Sequence, residues 1–224
     1  MAGNKAFRTS VVRSAAVAIL KSFQTQNIRW AIYGDLAWHL LCGTTTGGSW
    51  RLDVHVMGDS STLTYATQHI ASIDHRFSVA SPVVDGKAAM TYNHDVLNVR
   101  SPTKKHQCKV KFISGHLEDF FILKDLPLLQ IQSIIYRRME SCVGKSEKKL
   151  KKSMLEVIAI GKAYLHLPNL LPPVWSLTPA EQPLFLDYLA KITAEFPESA
   201  NLLTRLHPGL FPTTTIPPIA PSIV

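Results

Sequence analysis

Acidic residues are missing from the start of this chain: between Met1 and Gly34 there is no Asp or Glu, against Lys5, Arg8, Arg13, Lys21 and Arg29. Cysteine is scarce as well. Cys42, Cys108 and Cys142 form no CxxC pair, which excludes a disulfide framework and points to reduced, buried thiols in an intracellular protein, cytoplasmic or nuclear. No run of 18 uncharged apolar residues occurs, so no membrane span is expected. Neither a heptad pattern nor a 20–50-residue repeat is present, which excludes coiled coils and solenoids. With 46% hydrophobic and 18% charged residues, the chain has enough apolar material to fold, and disorder throughout is excluded.

The acid-free start resembles a transit peptide, and SAAVAIL (residues 14–20) a short signal core. No AxA-type cleavage site follows, and a folded amphipathic first helix is the expectation. The net charge is +8 and uneven: residues 1–176 hold 22 Lys and Arg against 12 Asp and Glu, residues 177–224 hold 2 against 4. A basic body of this kind attracts phosphate-bearing partners, although many basic proteins bind no nucleic acid.

Apolar spacing predicts a helix over residues 8–26, then a short buried strand (IRWAIY, 28–33) ending at Gly34. Asp35 opens a second helix that Gly43 closes, and TTTGGS (44–49) reads as a loop. RLDVHVM (51–57) alternates strictly, which predicts a half-buried strand with Arg51, Asp53 and His55 on its polar face. A helix over 61–74 is expected with Ser60 or Ser61 as its cap. Strands are expected at 77–84, 88–92, 96–100 and 108–114, with turns at Asp85–Gly86 and Ser101–Pro102. In CKVKFIS, Lys109 and Lys111 share one face. From Leu126 the pattern reads as helical throughout. Thr178-Pro179-Ala180-Glu181 forms a capping box ahead of a helix of about ten residues, and a short helix is expected over 199–205. Beyond His207 five prolines impose an extended tail.

The order of strand ending in Gly, helix, loop, strand with an inward Asp, further strands and a helical half resembles the nucleotidyltransferase fold, in particular its minimal members. AIYGDLAWHLLCG is similar to that family's first motif, with Asp35 where a second small residue is expected after Gly34. SWRLDVHV is similar to its Thr-x-Asp-apolar-Asp strand, and CKVKFI to the strand of its third carboxylate. The resemblance covers roughly residues 8–165. It implies an α/β fold: a small mixed sheet flanked by helices over 1–124, a helical segment over 125–206 and a Pro-rich tail over 207–224. In the family, three carboxylates hold two Mg²⁺ ions on a triphosphate. Here one register sets Ser49 at the Thr, Arg51 at the first carboxylate and Asp53 at the second; the other sets Asp53 first and His55 second. Lys111 stands at the third.

One carboxylate of three implies a catalytically degenerate protein that binds a nucleotide or nucleic acid through Gly34, Asp35, Ser49, Arg51, Lys109 and Lys111, with no metal required. Arg51 beside Asp53 also reads as a plain salt bridge. The alternatives are an active nucleotidyl- or phosphoryl-transfer enzyme using Asp53 and His55, which alone would need Mg²⁺, and a protein-interaction module on the same scaffold. Asp35, His39 and His55 form a candidate metal or acid–base trio. Lys145, Lys148, Lys149, Lys151 and Lys152, joined to Arg137 and Arg138, form a candidate RNA or DNA patch, or else a solvated surface.

Overall fold

A computed structural model describes residues 2–43, 50–94, 106–116, 120–165, 177 and 179–206. The chain begins with helix α1 (Ala2–Gln24), strand β1 (Trp30–Tyr33), helix α2 (Gly34–Cys42) and strand β2 (Arg51–Met57). Helix α3 (Ser60–Ile73) leads to the hairpin β3 (Phe77–Val84) and β4 (Lys87–His94), and then to β5 (His106–Gly115). A second hairpin, β6 (Phe120–Leu123) and β7 (Leu126–Leu129), precedes helices α4 (Ile131–Glu140), α5 (Glu147–Leu165), α6 (Glu181–Glu195) and α7 (Ala200–Leu206). The strands form one mixed sheet in the order β3-β4-β5-β2-β1-β7-β6. The β2–β5 and β1–β7 pairs are parallel, and the others antiparallel.

Register assigns the two faces. Leu52, Val54 and Val56 stand opposite or beside Val110, Phe112 and Met90, all essentially sealed from solvent, and α1 and α3 pack over this side. The other face carries the alternate residues Arg51, Asp53, Lys109 and Lys111. Helix α2 packs on β1 and β2, while α4 and α5 pack on α2 and carry the remaining helices.

Several expectations are corrected. Strand β2 is buried on both faces, with Asp53 and His55 covered, because helices also approach its polar side. Asp59 caps α3 in place of Ser60 or Ser61, accepting from the Thr62 amide at 2.9 Å. The segment from Leu126 begins as a strand rather than a helix, and α6 is 15 residues long. Residues 96–100, the Ser101–Pro102 turn, Thr178 of the capping box and the tail from His207 lie outside the described residues. The three cysteines are free.

The β6–β7 turn places Lys124 and Asp125 in the left-handed region, at φ 51° and 66°, where a Cβ is disfavoured by roughly 1 kcal/mol or more per residue. Asp125→Gly is therefore expected to raise stability by about 0.5–1 kcal/mol, read as a rise of about 2 °C in the thermal midpoint. An unchanged or lower midpoint would contradict this account of the turn.

Candidate functional site

Tyr33 ends β1, and Gly34 turns the chain into α2 with φ 72°. A side chain at Gly34 would place its Cβ 2.4 Å from Asp53 Oδ2. Only glycine lets this turn lie against the Asp53 carboxylate. Across the sheet Tyr33 pairs with Asp53, Asp53 with Lys111 and Lys111 with Ala89, while Arg51 pairs with Lys109. Opposed residues share a face, so these side chains converge on one cleft of about 690 Å³.

Five cationic side chains line that cleft: Arg51, Lys87, Lys109, Lys111 and Arg137. Two carboxylates, Asp53 and Glu140, also line it, together with Tyr33, Ser81, Val84 and Ser141. Arg137 reaches in from α4 and lies over the Tyr33 ring, 5.5 Å from its centre. Its Nε is buried with no hydrogen-bond partner among the described residues.

Asp53 is only 3% exposed. Arg51 Nε donates to its Oδ2 at 3.0 Å and lies 2.9 Å from Oδ1. Burial raises the pKa of this carboxyl, the Arg51 charge and hydrogen bond pull it back, and Asp35 adds to the rise. Burial, followed by the Asp53 charge, pushes the Tyr33 phenol up to about 12, so it stays a neutral hydroxyl. His55, next along this face, is pushed down to about 4, first by burial and then by the Arg137 charge. The Gly115 backbone draws it back slightly, but neither ring nitrogen reaches hydrogen-bonding geometry among the described residues.

The expected sheet-face residues Gly34, Arg51, Asp53, Lys109 and Lys111 are thus brought together; Ser49 lies outside the described residues. The metal trio is not assembled. Asp35 turns to Arg138, 3.5 Å from Nη1, and among the described residues no three His, Cys, Asp or Glu side chains gather to hold a metal. The basic patch divides. Lys145, Lys148, Lys149, Lys151 and Lys152 are exposed, with Lys151 paired to Glu195. Arg137 points into the cleft, and Arg138 is bonded to the buried Glu156. The reason is that α4 packs against α2 and α5, which sends Arg137 into the cleft and sets Arg138 on Glu156, a carboxylate that Lys152 also approaches at 3.9 Å. Tyr33, Lys87, Glu140 and Ser141 were not anticipated in the site; no local sequence pattern marks them, since only sheet register and the return of α4 bring them near Asp53.

The Mg²⁺ chemistry implied by the fold does not fit these residues. The positions flanking Asp53 carry Arg51 and Lys111, and a cation within ~4 Å of a divalent ion opposes its binding by several kcal/mol even at an effective dielectric near 20. Of the two carboxylates that line the cleft, Asp53 is already held by Arg51, and among the described residues no third gathers with them to hold a metal.

No protein-family model and no curated protein matches the sequence. Solved structures do. An antigenic nucleotidyltransferase-like protein from Paracoccidioides brasiliensis superposes with a TM-score of 0.59 at 16% identity, covering 88% of this chain and 93% of that one. The antibiotic-resistance factor ANT(2'')-Ia aligns over 88% of this chain and 98% of its own at 8% identity and TM-score 0.46. Terminal uridylyl transferase 4 from Trypanosoma brucei, with bound GTP, aligns over 84% and 67% at 10% identity and TM-score 0.39. The first of these, with the sheet order and cleft above, defines the fold: this chain is nucleotidyltransferase-like in architecture. No helix among the described residues is long and apolar enough to cross a membrane.

Proposed function

We propose that the chain is a catalytically degenerate nucleotidyltransferase-like protein that binds a nucleotide by its phosphates in the Asp53 cleft, without divalent metal. The observation that carries this reading is the cationic lining around Asp53: Arg51 on its own strand and Lys111 on the adjacent one, with Arg137 lining the same cleft from α4, at positions where the resemblance to the nucleotidyltransferase pattern would call for carboxylates. Fixed cations can take the place of metal ions in neutralising phosphate oxygens. A second reading, nucleic-acid binding, is favoured by the exposed Lys145, Lys148 and Lys149 near the start of α5.

Calorimetric titration with the four nucleoside triphosphates, with and without Mg²⁺, separates the readings. Metal-free binding that Mg²⁺ weakens, and that Lys111→Glu reduces by at least about 30-fold, is the expected result. Binding only in the presence of Mg²⁺, accompanied by turnover, would instead favour an enzyme using Asp53. If only an oligonucleotide binds, and Lys148→Glu with Lys149→Glu lowers its salt dependence, the lysine face is the site. No binding of either kind turns the reading to a protein-interaction module.

A further inference from the structure

Asp53 is the carboxylate that the resemblance to the nucleotidyltransferase strand pattern singles out, and cations surround it here. Arg51 holds both of its oxygens at 2.9–3.0 Å. Lys111 is its direct cross-strand neighbour on β5 and Tyr33 its neighbour on β1. The Gly34 backbone closes against it. From the helices, Asp35 adds a like charge to its electrostatic surroundings. The Arg51 side chain, by contrast, is 42% exposed and lines the cleft. The guanidinium is therefore shared, one edge on a buried carboxylate and the rest turned toward the space a ligand would fill.

We infer that Asp53 is the resident counter-anion of this cleft: it competes with a ligand phosphate for Arg51 and Lys111, and so sets the affinity of the site instead of supplying chemistry. The inference rests on the nucleotide reading and assigns Asp53 a role within it. A phosphate drawn to Arg51, Lys109, Lys111 and Arg137 must approach the Asp53 charge as well, and at an effective dielectric near 20 that repulsion weakens binding by about ten-fold or more. Removing the charge frees Arg51 and lifts the repulsion together. The consequence is opposite in sign to that for a catalytic or metal-binding carboxylate: deleting it strengthens binding.

The test is ATP titrated without Mg²⁺ into the full chain and its variants at pH 7.5. Asp53→Asn is expected to bind about ten-fold more tightly than the unaltered protein, and Asp53→Glu, which keeps the charge, within about three-fold of it. In an Arg51→Gln background the gain from Asp53→Asn should shrink, because part of it arises by releasing Arg51. A merely structural role for Asp53 would show equal or weaker binding in Asp53→Asn and no dependence on Arg51, and that result overturns the inference. Should Asp53→Asn fail to fold, Asp53→Ser removes the same charge with less bulk and is read in the same way. If the unaltered protein binds no ATP, the nucleotide reading falls and the inference with it. ATP binding that weakens in Asp53→Asn removes only the inference.

Discussion

Arg138→Met is expected to lower stability by about 3–5 kcal/mol, a large part of the roughly 5–15 kcal/mol that holds a domain together. Glu156 is the reason. Its side chain is only 5% exposed, and Arg138 meets it through Nε, at 2.7 Å, and through Nη2. The same guanidinium lies over the Trp38 ring, 5.8 Å from its centre, and 3.5 Å from Asp35. One side chain of α4 thereby ties α2 to α5. Without it the Glu156 carboxylate stays buried, with Lys152 at 3.9 Å as its remaining salt-bridge partner among the described residues. Urea unfolding should show the midpoint falling by more than about 1 M. Changing both partners, Arg138→Met with Glu156→Leu, should restore most of the loss, since it removes the stranded charge with the pair. A single-variant loss below about 1 kcal/mol would mean that the ion pair does not organise the helical half.

The second large effect is one of pH. In the unfolded chain His55 titrates near 6.5, in the folded protein near 4. Below pH 6.5 the unfolded state therefore binds a proton that the folded state refuses, and stability falls as pH drops toward 4. A difference of about 2.5 pKa units corresponds to about 3 kcal/mol, complete once the pH is below both values. Asp53 acts in the opposite sense, because its raised pKa makes the folded state bind more protons on the acid side. The His55 contribution is isolated by comparing unfolding free energies of the unaltered protein and His55→Asn at each pH. The gap between the two should move against the unaltered protein by about 2.5 kcal/mol between pH 6.5 and 4. A gap that stays constant would show that His55 titrates alike in both states.

Much of the scaffold is legible in the sequence because its signals are local. The alternation of RLDVHVM identifies β2 and the residues that share its polar face, and Gly34 and Gly43 bracket α2 with backbone conformations that suit glycine. The β6–β7 hairpin is illegible for a physical reason. Its turn residues, Lys124 and Asp125, are neither Gly nor Asn, so the usual marker of a left-handed turn is absent, and the short apolar LPLL runs straight into a helical pattern. The candidate site divides in the same way. Arg51, Asp53, Lys109 and Lys111 follow from strand periodicity and pairing, since each strand fixes its own faces. Arg137 and Arg138 do not, because which of two adjacent arginines enters the cleft and which meets Glu156, eighteen residues on, depends on how α4 lies against α2 and α5. The deep burial of Asp53 and His55 has the same origin. It comes from helices arriving over a strand face that reads as solvent-exposed on its own.

Strand β1 lies between β2 and β7, and its partner on the second side is made late. Ninety-two residues separate Tyr33 from Leu126. At the roughly 5–20 residues per second of protein synthesis, the WAIY segment spends about 5–20 s on the ribosome with one backbone edge open. An apolar strand edge left open invites pairing with other chains, so the nascent protein is exposed to such pairing until residue 129 has emerged and β7 can close that edge.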